Sequence, residues 1–265
     1  MNMPSENWAS GDAYEQFMGR WSADVAALFL DHLQPAADSA WLDVGCGTGA
    51  LTRMIAARVQ PRRLVGVDSS LDFARYARQR NQGATFITAS ATALPAADDT
   101  FDFVVSGLAL NFFPQPEQAL REGVRVAKPG GIVAAYVWDY AGKMEFLRYF
   151  WDAALALDAG AKPLHEGHRF PICQPDPLQQ LWQSAGLQHV SLHPLDAVTR
   201  FDSFEGYWQP FTFGNFPAPQ YALSLDAARR QQLHDHLRAS IPTERDGSIQ
   251  LIARAWAVLG QKPSL

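Results

Sequence analysis

The segment Asp43-Val44-Gly45-Cys46-Gly47-Thr48-Gly49 carries the most chemically specific spacing in this chain. An apolar run feeds three alternating glycines and then a helical pattern, the junction at which open α/β sheets bind ligands. Glycine is needed there because a side chain blocks close approach of a ligand to the backbone, and because the turn can require φ > 0. With Ala50 the run also satisfies the looser dinucleotide pattern G-x-G-x-x-G/A, so the glycines alone leave the cofactor open. Asp43 narrows the choice. A dinucleotide fold keeps an apolar residue at that point, where a carboxylate would face a pyrophosphate; a nucleoside cofactor with an ammonium and no phosphate tolerates the acid or uses it. Asp68 follows Val65-Gly66-Val67 at the end of the next apolar run and can accept both hydroxyls of a ribose. Nicotinamide enzymes share that feature, so it supports a nucleoside without naming the cofactor.

Two other groups of residues could do chemistry. In His165-Glu166-Gly167-His168-Arg169, His168 or His165 could take a proton from a phenol or an amine. The competing reading is a polar surface loop. A metal would need third and fourth ligands, none is near in sequence, and no metal is expected. The aromatic residues Trp138, Tyr140, Tyr207, Trp208 and Phe211 either line an apolar pocket and stack on a flat substrate or fill a core, since both use the same side chains. Asn111 either hydrogen-bonds an acceptor or caps the following helix.

These residues must be held by regular elements. Strands are predicted at Ala40 to Val44, Arg63 to Val67, Thr85 to Thr88, Phe101 to Ser106 and Ile132 to Trp138. Leu51, Met54, Ile55 and Val59 share one helical face between the first two. Pro116 opens a helix that Lys128-Pro129-Gly130-Gly131 closes with a tight turn. Repeated strand-helix-strand units imply a parallel sheet covered on both faces. After Trp138 the pattern predicts a helix over residues 143–159, a Pro-rich loop from Pro163 to Pro177, and a helix over 178–186. A strand from His189 to Arg200, an aromatic-dense stretch, a helix from Asp226 to Ala239 and a last strand from Ser248 to Leu259 follow.

Asp-Val-Gly-Cys-Gly-Thr-Gly resembles the first motif of class I S-adenosylmethionine (SAM)-dependent methyltransferases. The likeness continues through Gly66-Val67-Asp68-Ser69, Ala93-Leu94-Pro95, Phe101-Asp102-Phe103-Val104-Val105-Ser106 and Lys128-Pro129-Gly130-Gly131, covering roughly residues 40–138. It is similar to the bacterial group that includes ubiquinone and menaquinone C-methyltransferases. The resemblance implies a Rossmann-like, doubly wound, seven-stranded and mostly parallel α/β sheet with a final antiparallel strand, plus a helical, aromatic cap. It also implies three segments. Residues 1–139 are a SAM-binding core with an N-terminal lid helix, 140–247 a substrate cap interleaved with a core helix and strand at about 177–200, and 248–265 the final strand and tail.

Carried over by position, Asp43, Gly45, Cys46, Gly47 and Gly49 run beside the methionine portion of SAM, and Asp68 holds the ribose. Ser69 neighbours the adenine. Where the family has an Asp-Ala pair at the adenine edge, this chain has Ser90-Ala91, an uncharged acceptor. Leu108 sits near the transferred methyl. Tyr14 and Arg20 belong to a segment that closes over the cofactor in some relatives; Arg20 either pairs with the SAM carboxylate or caps a helix.

Composition bounds the rest. The 265 residues carry a net charge of -5 with no run of Lys or Arg, which argues against nucleic acid or an anionic membrane as partner. Two cysteines, Cys46 and Cys173, make no disulfide framework, and neither a signal peptide nor a bilayer-length apolar stretch is evident, so a cytoplasmic protein is expected. The segment after the fourth strand, Ser106-Gly107-Leu108-Ala109, lacks the signatures for nucleobase, guanidinium and metal-dependent catechol acceptors. The expected activity is therefore in-line methyl transfer from SAM, leaving S-adenosylhomocysteine, to a small aromatic or apolar acceptor. A NAD(P)-dependent oxidoreductase and a non-catalytic SAM-binding protein are the alternatives.

Overall fold

The computed structural model describes residues 19–214 and 216–264, the side chain of Arg20 excepted. Seven strands form: β1 (Ala40–Val44), β2 (Arg63–Asp68), β3 (Thr85–Thr88), β4 (Phe101–Gly107), β5 (Ala127–Trp138), β6 (Gln188–Phe201) and β7 (Ile249–Gln261). They make one sheet in the order β3-β2-β1-β4-β5-β7-β6. β1 pairs in parallel with β2 and β4, and β7 pairs antiparallel with β5, from Ile132 opposite Gln261 to Trp138 opposite Ala255. β1 is buried along its whole length, as a strand covered on both faces must be.

The chain divides into two compact units. The sheet unit comprises Ser22–Trp138, Ile172–Leu195 and Ala255–Leu265. Its helices include α1 (Arg20–Leu33, from Ser22 on), α2 (Ala50–Val59), α3 (Leu71–Arg80), α4 (Pro116–Val126) and α7 (Pro175–Ser184). On one face Phe29 of α1 lies 4.7 Å from the Tyr136 ring, and Leu51 of α2 lies close to Gly107. On the other, Gly123 of α4 approaches Val104 and Val133, and the Trp182 indole of α7 donates to the Val133 carbonyl at 2.9 Å. Gly260 makes room for that indole, since a Cβ there would stand 2.9 Å from Trp182. β6, at the edge of the sheet opposite β3, contains Pro194 and runs for 14 residues.

The second unit takes Asp139–Pro171 and Asp196–Arg254, together with Trp21. Its helices are α5 (Glu145–Leu157), α6 (Glu166–Arg169), α8 (Phe204–Trp208), α9 (Pro217–Ser224) and α10 (Ala227–Ser240). An aromatic core holds it together: Phe211 stacks on Phe146 at 4.7 Å and on Phe150 at 4.5 Å, and Trp21 meets Phe146 edge-on at 4.9 Å. Each such pair contributes about 0.5–1.5 kcal/mol beyond its area burial.

Two segments differ from expectation. Lys128 to Gly131 does not form a tight turn; it is the irregular start of β5, where Gly130 takes φ 75° and the β4–β5 register shifts. The reason lies in distant partners: the Gly130 N–H donates to the Lys262 carbonyl and its own carbonyl accepts from Gln261. The Pro163 to Pro177 segment is also no plain loop. It contains 3-10 turns at Ala159–Leu164 and Pro171–Cys173 with α6 between them, and α7 starts already at Pro175. Prolines at the first turn of α7 suit its start, where the missing N–H goes unneeded. α6 is capped by the His165 side chain.

Candidate cofactor and acceptor sites

The glycine turn sits between the end of β1 and the start of α2, and three backbone angles make it. Gly45, Gly47 and Gly49 take φ of 72°, 51° and 84°, all in the left-handed region. A Cβ on Gly45 would stand 2.7 Å from the Ala109 Cβ and 3.0 Å from the Phe113 ring, so here glycine is demanded twice. At Gly47 a Cβ would meet nothing within 4 Å, which leaves the backbone open to an approaching group. The N–H groups of Gly45 and Cys46 both donate to the Val67 carbonyl, at 2.7 and 3.0 Å, tying the turn to β2.

Two carboxylates flank the turn. Asp68, ending β2, accepts from the Gly47 N–H at 2.9 Å and the Ser70 N–H at 2.8 Å, one bond on each oxygen. Each oxygen keeps a lone pair for a further donor. Burial pushes the Asp68 carboxyl up, and these two N–H groups pull it back. Asp43 is wholly buried at the end of β1; its Oδ2 accepts from the Thr52 hydroxyl at 2.6 Å, while Oδ1 has no partner among the described residues. Burial pushes Asp43 up to about 7, against the pull of Thr52 and with a further push from Asp68. An unpaired buried carboxylate oxygen is costly unless a cation or donor reaches it. A nucleoside with an ammonium group and two ribose hydroxyls matches this donor-and-acceptor set. A pyrophosphate does not.

The remaining cofactor candidates fall as follows. The Cys46 side chain turns away from the turn into a cluster with Ala77 and Phe86, so only its backbone is available, and burial pushes the thiol far up. Ser69 is exposed directly after Asp68, and Ser70 caps α3 with its hydroxyl. Ser90 is exposed and its oxygen accepts from the Thr92 N–H at 3.2 Å, closing a local turn; Ala91 is half-buried beside it. Leu108 takes φ 57°, a left-handed strain rare for leucine, with its N–H on the Tyr136 carbonyl at 2.8 Å. Tyr14 lies outside the described residues. Arg20 starts α1, and its side chain too lies outside them.

Several residues of the site escape a reading by motif. Thr52 holds Asp43 from the first turn of α2, and Ala109 and Phe113 press on Gly45. Glu122 and Arg125 of α4 pin the loop after β3: Glu122 accepts from the Leu94 N–H at 2.8 Å, and Arg125 donates to the carbonyls of Leu94 and Ala96. The only signal for the last pair is the i,i+3 spacing of opposite charges, which occurs on many solvated helices.

Among the acceptor candidates, Asn111 lies in a 3-10 turn, Leu110–Phe112, just past β4, and Trp138 ends β5 with 2% exposure. Neither the Asn111 Nδ2 nor the Trp138 Nε1 has a hydrogen-bond partner among the described residues, although both atoms are buried. Asn111 does not cap α4, whose N-cap is Gln115. Tyr140, Tyr207, Trp208 and Phe211 belong to the other unit. Tyr207 and Phe211 are both 0% exposed, and the Tyr207 hydroxyl donates to the Phe146 carbonyl at 2.9 Å. They are core residues rather than pocket lining, because Phe146, Phe150 and Phe201 enclose them. Trp208 stays half-buried against Phe211 and His234, and Tyr140 is buried beside Phe170.

The histidine cluster divides. His165 is 8% exposed, not a surface residue, and its Nδ1 accepts from the Gly167 N–H at 2.8 Å. That bond places the ring proton on Nε2, so neither nitrogen is free to take another from a substrate. Burial holds the His165 pKa low, and the neighbouring His168 lowers it further. Glu166 is buried and accepts from the Trp151 indole at 2.5 Å. His168 is exposed. No group of three or more metal-ligating side chains occurs among the described residues.

Comparison with known proteins gives a consistent pattern. A family profile described as "Methyltransferase domain" matches residues 42–135. The chain is 31% identical over 180 residues to 2-phytyl-1,4-naphtoquinone methyltransferase of Thermosynechococcus vestitus, covering 63% of this chain and 80% of that protein. It is 33% identical over 144 residues to malonyl-[acyl-carrier protein] O-methyltransferase of Pseudescherichia vulneris, covering 54% of this chain and 55% of that protein, or about half the length of that relative. In fold it is similar to Haemonchus contortus phosphoethanolamine N-methyltransferase 2, solved with S-adenosylhomocysteine, at a TM-score of 0.60 and 14% identity over 96% of this chain and 57% of that one.

Proposed function

Because this chain belongs to the SAM-dependent methyltransferase family, we propose that it transfers the methyl group of SAM to a small aromatic or apolar acceptor. SAM, when bound, supplies an activated methyl whose sulfonium leaves as a neutral thioether. The observation that carries the cofactor assignment is the pairing of Asp68, with lone pairs to spare, and the unpaired Asp43 Oδ1 around an open glycine turn. Asp68 holds the ribose, Ser69 and the Ser90-Ala91 pair border the adenine, and Leu108 lies beside the methyl. The nicotinamide alternative finds no support in the family match.

What this chain's residues contribute is alignment and exclusion of water, which for an activated donor supplies much of the rate. A dedicated base is not required. If the acceptor does lose a proton early, we assign that proton to the exposed His168, since His165 is committed to its cap. The similarity to a naphthoquinone methyltransferase supports a flat, quinone-like acceptor. No helix among the described residues is long and apolar enough to cross a membrane, and we assign the chain to the cytoplasm with a small molecule, not nucleic acid, as its partner.

Calorimetric titration with S-adenosylhomocysteine, with NAD(H) as control, tests the cofactor. Micromolar binding of the first and none of the second supports the reading; binding of NAD(H) alone, or of neither, overturns it. Turnover of any phenol, amine or quinone-like acceptor then removes the non-catalytic alternative.

A further inference from the structure

The Asn81 side chain is buried, and its Oδ1 has no hydrogen-bond partner among the described residues. Native proteins leave few such atoms, so the position needs a reason to hold an amide. Part of the reason is local. Asn81 follows α3 directly, and its Nδ2 donates to the Ala77 carbonyl at 2.6 Å. Carbonyls of a last helical turn lack intrahelical partners, so this bond caps the helix. A cap alone can stand in solvent and needs no burial. The rest of the reason lies in what Asn81 is buried against.

A Cβ added to Gly49 would stand 2.6 Å from the Asn81 Nδ2 and 3.3 Å from the Ala77 Cβ. The space left by the missing side chain of Gly49 is therefore the space that Asn81 fills. Ala77, one helical turn earlier, also clusters with Cys46. The last turn of α3 thus meets the glycine turn at two points. The start of α3 is tied to the same site. Its cap residue Ser70 donates its N–H to Asp68 Oδ1, and Asp68 Oδ2 accepts from the Gly47 N–H. Gly49 is held along its backbone as well, with its N–H on the Cys46 carbonyl and its carbonyl accepting from the Arg53 N–H, both at 2.8 Å. Gly47 differs, since a Cβ there would meet nothing within 4 Å.

We propose that Asn81 is a positioning residue for cofactor binding. Anchored on the Ala77 carbonyl, its amide is the stop against which Gly49 keeps its left-handed conformation, and through Gly49 it sets where the Gly47 N–H meets Asp68. An amide serves here better than an apolar group of equal size, because a bonded N–H fixes the side chain where a methyl group could slide. The unpartnered oxygen accompanies that fixing. Gly49 is then required by a side chain of α3, whereas Gly47 is kept clear for the ligand. This rests on the methyltransferase reading above and adds a residue that lies outside the motif segments.

The test is a double-mutant cycle on the full chain, read by calorimetric titration with S-adenosylhomocysteine. Asn81→Ala alone should weaken binding about fivefold and shift the Gly47 amide resonance in an NMR spectrum. Gly49→Ala alone should weaken binding about thirtyfold, through the Asn81 contact and the strained φ together. In the Asn81→Ala background the same glycine change should lose only about fivefold more, because the strain alone remains. Gly47→Ala is the control, and its loss should simply add to that of Asn81→Ala. Additive losses for Gly49→Ala and Asn81→Ala overturn the proposal while leaving the cofactor reading intact. So does an Asn81→Ala chain with a lowered thermal midpoint, unaltered affinity and an unmoved Gly47 resonance, which is what a helix cap alone would give. If Gly49→Ala does not fold, the Asn81→Ala result decides by itself. If S-adenosylhomocysteine fails to bind the unsubstituted chain, the cofactor reading falls and takes the proposal with it.

Discussion

In the sheet unit the decisive positions are occupied by the smallest residues, and in the second unit by the largest. Gly45, Gly47 and Gly49 act by what they lack, each at a positive φ; Gly47 leaves its backbone open, and Gly45 and Gly49 make room for Ala109 and Asn81. Phe146, Phe150, Tyr207 and Phe211 act by volume, filling a core with stacked and edge-on rings. A ligand site made of backbone depends on local geometry and tolerates no added atom. A core made of rings depends on total volume and degrades with each atom removed.

That contrast can be broken most forcefully from the aromatic side. Phe211→Ala should cost about 3–5 kcal/mol of stability by urea unfolding and leave the affinity of the surviving folded protein for S-adenosylhomocysteine within about twofold. A large loss of affinity at intact stability would instead make Phe211 part of a binding site. Gly45→Val attacks the other side. With a strained φ and the Ala109 and Phe113 contacts both against it, cofactor binding should fall roughly tenfold or more, with a stability loss on the order of 3 kcal/mol. Wild-type affinity would mean that the turn is not the cofactor site.

A subtler difference lies in charge. The folded-state pKa of Asp43, about 7, stands above the ordinary carboxylate value near 4, so the fold favours the neutral acid. The native state then holds an extra proton across that window. Stability should decline by up to a few kcal/mol as pH rises from about 4 to 7 and level off above. Affinity for the cationic SAM should run the other way, rising with pH toward 7 as Asp43 ionises. Asp43→Asn should flatten both profiles, and unchanged slopes in either would remove Asp43 from the account. The smallest expected effect is that of His168→Ala, which should leave S-adenosylhomocysteine affinity unaltered and slow turnover by about tenfold or less. A collapse of cofactor binding would make the residue structural.

The legibility of the chain follows the same division. β1, β3 and the glycine turn could be read directly, because alternation, burial and φ > 0 are properties of neighbouring residues. Thr52 could not be read as the partner of Asp43, since nothing in its own surroundings differs from any helical threonine. Tyr207 and Trp208 are adjacent, yet one is sealed in a core and the other half-open; no periodicity separates them. His165 looked reactive from composition, and its role as a cap emerges only once α6 is seen to begin after it. Pro163 to Pro177 misled for a physical reason: proline marks helix starts and loops alike.

Pro194 bears on how this protein behaves among many copies of itself. β6 is an edge strand of the sheet and, at 14 residues, a long one, with Val198 56% exposed on it. A continuous row of free N–H and C=O groups of that length would invite a second molecule to zip on strand by strand. Pro194 has no N–H to give, so the β6 backbone carries one donor fewer than its 14 residues would otherwise present to neighbouring chains, from whichever side of the strand a partner comes.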